Sequence, residues 1–93
     1  MIQSFRCKDT QALFEGRRQK RFRGVLEVVA TRKLAMLDAA KTLEFLRSPP
    51  GNRLEALKGD RAGQWSVRVT EQWRLCFRWT DAGPHDVEIV DYH

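Results

Sequence analysis

Arg74 and the run Asp91-Tyr92-His93 supply the side chains best suited to moving protons beside a phosphate. Imidazole titrates near neutral pH, a carboxylate several units lower and a phenol several units higher. With a terminal carboxylate alongside, acids and bases of widely spaced strength are expected to converge at one point. They follow directly on His85-Asp86-Val87-Glu88-Ile89-Val90, which reads as a strand, so a sheet is expected to hold them. A guanidinium presents a rigid fork of donors matched to phosphate oxygens. A cation, a phenol and an imidazole at one anionic site are parts needed for metal-free cleavage of RNA. A base must take the 2′-hydroxyl proton, cations must stabilise the charged phosphorane, and an acid must protonate the leaving 5′-oxygen. The competing reading is a short polar tail after a final strand.

Other chemistries find less support. There is no glycine-rich phosphate loop, nucleophile elbow or calcium-loop carboxylate pattern. Cys7 and Cys76 lack the paired spacing of a zinc site, and the two histidines lack ligand spacing with them or with each other. No metal and no cofactor is implied. Packing in a reduced state is the expected job of both sulfurs. His85, beside Pro84 in an expected turn, reads as surface decoration.

The elements that must position these groups follow from periodicity. Met1 to Phe5 can form a short first strand, and Asp9 or Thr10 could cap a short helix carrying Leu13 and Phe14 that Gly16 ends. From near Gly24, Leu26, Val29, Ala30, Leu34 and Leu37 recur at helical spacing and form one apolar stripe, with Arg32, Lys33 and Asp38 largely off it. A helical piece from Thr42 to Leu46 stops at Ser48-Pro49-Pro50-Gly51, and 52–63 reads as loop with a turn at Lys58-Gly59-Asp60. Then the period becomes two. Trp65, Val67 and Val69 alternate with Ser66 and Arg68, and Trp73, Leu75, Phe77 and Trp79 alternate with Arg74, Cys76 and Arg78. Turns at 70–72 and 81–84 make the strands an antiparallel meander. One face is apolar and is covered by the long helix; the other carries Arg68, Arg74 and Arg78. Like charges opposed across a sheet destabilise it, and a bound polyanion would relieve them. Solubilising surface arginines are the alternative.

The expected class is therefore α+β, with an N-terminal strand and helices packed on an antiparallel sheet, in one domain over 1–93. A hydrophobic fraction of 42% excludes a disordered chain, and no segment approaches membrane-spanning length. Seventeen Lys+Arg against twelve Asp+Glu give a formal charge of +5 and a pI near 9.8, a balance that favours polyanionic partners. Arg17, Arg18, Lys20, Arg21 and Arg23 concentrate that charge, either as a phosphate-contacting patch or as a solvated loop and helix start.

Four strings in order resemble a known family. They are Met1-Ile2-Gln3-Ser4-Phe5, the stretch from Leu54 through Lys58-Gly59-Asp60-Arg61 to Ser66, Gln72-Trp73-Arg74-Leu75-Cys76-Phe77, and Val90-Asp91-Tyr92-His93. Nearly end to end, the chain resembles the HigB toxins of the RelE superfamily, ribosome-dependent messenger-RNA interferases of type II toxin–antitoxin pairs. The helix Leu34-Ala35-Met36-Leu37-Asp38-Ala39-Ala40 and the loop Pro49-Pro50-Gly51-Asn52-Arg53-Leu54 are similar to the proteobacterial HigB/GraT branch.

The resemblance implies a RelE-like fold and cleavage of messenger RNA in the ribosomal A site. It also implies neutralisation by a cognate helix-turn-helix antitoxin similar to HigA, while the isolated cysteines and the lack of a long apolar stretch make a cytoplasmic location the expectation. Operator DNA would be bound only indirectly, through the antitoxin complex. The family's terminal acid, tyrosine and histidine fall on Asp91, Tyr92 and His93, its strand arginine on Arg74 and its loop lysine on Lys58. On that basis Arg74 and Lys58 would steady the scissile phosphate. Tyr92 would align or polarise the 2′-hydroxyl, His93 would act as general acid or base, and Asp91 would orient its neighbours, with Tyr92 and His93 free to exchange roles. RNA contact is expected from Arg61, Arg68 and Arg78, and ribosomal RNA or antitoxin contact from the run Arg17 to Arg23. One position departs: some HigB proteins carry a catalytic histidine where this chain has Glu55. A carboxylate can act as a base but repels phosphates, so the rival expectation is a non-catalytic or attenuated RNA- and antitoxin-binding module on the same fold.

Overall fold

The computed structural model describes residues 1–48 and 50–92. The alternating segments become β2 (Trp65–Arg68), β3 (Trp73–Thr80) and β4 (Gly83–Asp91), preceded by a two-residue strand β1 (Glu55–Ala56). They form one antiparallel sheet in the order β1-β2-β3-β4. Period-two patterning puts Val67, Leu75, Phe77, Val87 and Ile89 on one face, where all are buried. A helix α1 (Lys8–Phe14) and a longer helix α2 (Val25–Ala39) precede the sheet, and α2 turns Ala30, Leu34 and Leu37 onto that face. Burying Leu34 and Leu37 contributes roughly 1.5–3 kcal/mol each, and the single methyl of Ala30 less. Gly24 admits the chain into α2 with φ +71°, a conformation that costs other residues strain. The α+β class and the antiparallel meander are as the periodicity indicates.

Several expectations change. The first residues make no full strand: Phe5 forms a single parallel bridge to Val87 on the outer side of β4. Backbone N–H groups of Val87 and Arg6 bond to Ser4 O and Val87 O at 3.1 and 3.0 Å. Thr10 lies inside α1 rather than capping it; it is fully buried, and its hydroxyl accepts from Ile89 N–H at 3.0 Å. Asp9 is likewise within the helix, whose N-cap is Cys7 with no side-chain cap bond. The piece after Thr42 is a 3-10 turn over Glu44–Arg47, begun by Phe45 N–H bonding to the Thr42 hydroxyl. Glu55 lies in β1 rather than in a loop. His85 is inside β4, opposite Arg78, and its Nε2 is buried without a hydrogen-bond partner among the described residues, so it is not surface decoration. A bulge between Cys76 and Arg78, with Asp86 at φ +52°, sets that register.

Two polar residues beside the α2 stripe are structural. Asp38 accepts from the backbone N–H of Ile2 at 2.8 Å, tying down the start of the chain. Lys33 Nζ donates to Asn52 Oδ1. Asn52 is fully buried, and its Nδ2 donates to Leu46 O at 3.1 Å. Burial, then the neighbouring Arg32 charge, lowers the Lys33 ammonium pKa. The loop ahead of β1 is thereby anchored to α2.

Candidate active site

The open face of the sheet follows from the register. Arg68 on β2 stands directly opposite Arg74 on β3, and Arg74 opposite Val90 on β4. Tyr92 lies two residues past Val90, on the same face by alternation, and its N–H bonds to Gln72 O. Arg74 and Tyr92 are thus diagonal neighbours across two strands, a relation that spans roughly 7–8 Å. The end of β4 is held by the sheet rather than frayed.

Arg74 is fixed from three sides. Its Nε donates to the Ser66 hydroxyl at 2.8 Å, and its Nη2 donates to the Arg53 carbonyl at 2.7 Å. Glu55 Oε1 lies 3.5 Å from the same Nη2. The Arg74 side chain is only 12% exposed, whereas that of Glu55 is 57% exposed. The guanidinium is therefore aimed in advance, and its Nη1 has no partner among the described residues. Ser66 faces Glu55 across β1 and β2, which accounts for the carboxylate's place beside the arginine.

The remaining candidates take different positions. Lys58 is exposed and immediately precedes the 3-10 turn Gly59–Arg61, with its ammonium unpaired among the described residues. Arg61 donates to Glu88 Oε1 at 2.8 Å and to Gln64 Oε1 at 3.1 Å; the Glu88 bond raises its already high pKa, and Tyr92 lies within range of its field. Asp91 faces Trp73, on the side opposite to Tyr92 by alternation, and accepts from Gln72 Nε2 at 3.0 Å. Tyr92 is 38% exposed. His93 lies outside the described residues, as does Pro49 of the loop string.

Arg78 does not join this cluster. It stands roughly 13 Å along β3 from Arg74, at about 3.3 Å per residue, and pairs with Asp86 at 3.6 Å. The basic run is also largely engaged. Arg17 pairs with Glu15 at 2.6 Å, Arg18 with Glu27 at 3.4 Å, and Arg21 with Asp9 at 3.8 Å. The Arg21 guanidinium lies over Phe22 and Trp73, 5.2 and 5.6 Å from the ring centres. Lys20 and Arg23 are left without partners among the described residues, and they border a depression with Arg18, Gln19, Gly24 and Glu27.

Sequence reasoning missed Ser66, the Arg53 carbonyl and Glu88. Alternation did put Ser66 on the face of Arg68, so its contact with an arginine was open to inference. The Arg53 carbonyl had no such signal, because its position depends on a backbone turned to φ +46°. Cys76 and Glu88 complete the face, opposite each other on β3 and β4. Burial pushes the Cys76 thiol up to about 11. For Cys7, burial raises the pKa but is outweighed by hydrogen bonds from Thr10 and Asp9 and by the Arg21 charge, so the net shift is downward.

Residues 3–93 match the family described as RelE-like toxin of type II toxin-antitoxin system HigB. The chain belongs to this toxin family. It is similar to "Toxin HigB-1" of Vibrio cholerae serotype O1, with 40% identity over 82 residues covering 87% of this chain and 86% of the relative. It is also similar to "Endoribonuclease HigB" of Proteus vulgaris, with 31% identity over 100 residues covering the full length of both. Membership in a type II HigB toxin family implies an antitoxin partner. Among the described residues, no helix is long and apolar enough to cross a membrane.

Proposed function

We propose that this HigB-family toxin is an endoribonuclease: a ribosome-dependent messenger-RNA interferase that cuts in the A site and so inhibits translation. The observation that carries the reading is the juxtaposition of a held, nearly buried Arg74 with Tyr92 on one sheet face. In the proposed chemistry Arg74 and Lys58 bind the scissile phosphate and the charge that develops on it. Tyr92 aligns the 2′-hydroxyl, and His93 takes or gives the proton. Asp91 orients the strand end through Gln72. Arg61 and Arg68 contact flanking RNA. Lys20 and Arg23, with Arg17, Arg18 and Arg21 once their carboxylates are displaced, meet ribosomal RNA or antitoxin. The steps are general acid–base steps, each worth roughly 10²–10⁴-fold in rate. Residues 1–93 act as one domain in the cytoplasm, restrained by a HigA-like helix-turn-helix antitoxin that links the toxin to operator DNA.

The Glu55 carboxylate on Arg74 supports a second reading, an attenuated or non-catalytic RNA- and antitoxin-binding module. Mapping messenger-RNA 5′ ends after brief induction, beside a Tyr92→Ala, His93→Ala double variant, separates the two. In-frame cuts within translated codons, made by the parent and lost in the variant, are the expected result. Absence of cuts with folded, antitoxin-binding protein would favour the second reading.

A further inference from the structure

The sheet face contains a depression beside the Arg74 cluster, lined by Arg53, Arg68, Thr70, Glu71 and Arg74. Three arginines and one acidic residue, Glu71, line it, and the Glu55 carboxylate 3.5 Å from Arg74 Nη2 offsets only part of that positive charge. Arg68 and Arg74 occupy directly opposed positions, the arrangement in which like charges repel most strongly across a sheet. Neither Arg53 nor Arg68 has a side-chain partner among the described residues. Arg53 also adopts φ +46°, a backbone conformation uncommon for a residue with a long side chain. That turn places its carbonyl on Arg74, and the exposed residue lines the depression. Strain at such a position persists only where its surroundings impose it, and it concentrates at ligand sites.

We propose that Arg53 and Arg68 form a second phosphate subsite, which takes an RNA phosphodiester adjoining the one held by Arg74. The inference rests on the nuclease reading for the identity of the strand, and on cavity, register and backbone for the place. Arg53 then has two tasks: its carbonyl aims the arginine at the cleaved phosphate, and its side chain fixes the next linkage. The subsite accepts the phosphodiester through charge and donor geometry, so it sets the path of the strand without reading its bases. The opposed arginines oppose folding in the free protein, and RNA relieves the repulsion.

The test uses Arg68→Gln and Arg53→Asn, the second because asparagine tolerates positive φ and keeps the carbonyl in place. On ribosomes programmed with synthetic messenger RNA, each variant should lose about ten-fold or more in kcat/KM. The melting temperature of Arg68→Gln should stay level or rise, whereas a structural role would lower it. A single uncharged methylphosphonate next to the scissile linkage should slow the parent comparably and slow Arg68→Gln little further. Binding of an uncleavable 2′-deoxy oligonucleotide to the free protein gives an independent reading. The slope of log affinity against log salt should fall by about 0.7 in each variant, as for one lost single-strand phosphate contact. Unchanged slopes in both variants, or losses that simply add to the methylphosphonate effect, would overturn the subsite. A parent that binds with the expected slope yet cuts no messenger RNA would sink the nuclease reading and leave the subsite standing.

Discussion

At Arg74 the sheet face both prepares an anion site and partly occupies it. Ser66 and the Arg53 carbonyl satisfy donors that would otherwise be desolvated without partners, while Glu55 neutralises part of the charge. The Glu55 pair is exposed on the carboxylate side, and such pairs contribute about 0–1 kcal/mol. Glu55→Gln should therefore raise RNA affinity by no more than about five-fold and leave the cleavage rate of bound RNA at least unchanged. Titrating oligonucleotide binding and single-turnover cleavage on the same preparation checks this. A fall of about 10²-fold in cleavage with affinity intact would instead make Glu55 the base. Arg74 and Tyr92 were legible from residue type and alternation. The grip on Arg74 was not, because a main-chain carbonyl carries no signature in sequence.

At the scale of elements, α2 reaches the site through one buried amide. Lys33 on the helix holds Asn52, Asn52 holds the Leu46 carbonyl, and the next residue takes the positive φ that places its carbonyl on Arg74. Asn52→Ala leaves buried partners unsatisfied, at a cost of roughly 1–3 kcal/mol. It should also lower cleavage more than an equally destabilising core change such as Val67→Ala. Urea unfolding and cleavage measured on both variants test the coupling, and equal activity losses at equal stability would refute it. Periodicity located α2 and the strands because their apolar residues must face one core. It missed β1, where two exposed residues have no pattern to display, and it put Thr10 at a helix cap although its hydroxyl serves Ile89 far along the chain. The basic run looked free in sequence. In the fold, nearby carboxylates take Arg17, Arg18 and Arg21, a pairing that depends on how the loop closes.

For the whole molecule, the buried Cys76 thiol links folding to alkaline pH. Its folded pKa, about 11, lies above that of an ordinary thiol, so the fold favours the neutral thiol. That stabilisation is fully present below about pH 9 and is lost as pH rises toward 11, up to roughly 2–3 kcal/mol. Cys76→Ala should flatten the decline in stability between pH 9 and 11, as followed by urea denaturation; an equally steep decline would assign it to other groups. The interlocking of the two ends of the chain is also a property of the whole. Outward-pointing N–H groups of Asp86, Val87 and Ile89 are taken by the Ser4 hydroxyl, the Ser4 carbonyl and the Thr10 hydroxyl. An exposed strand edge is a template on which other chains can polymerise. By closing this edge with its own first ten residues, the protein removes a seed for self-aggregation, and proteolytic trimming of that segment would expose it again.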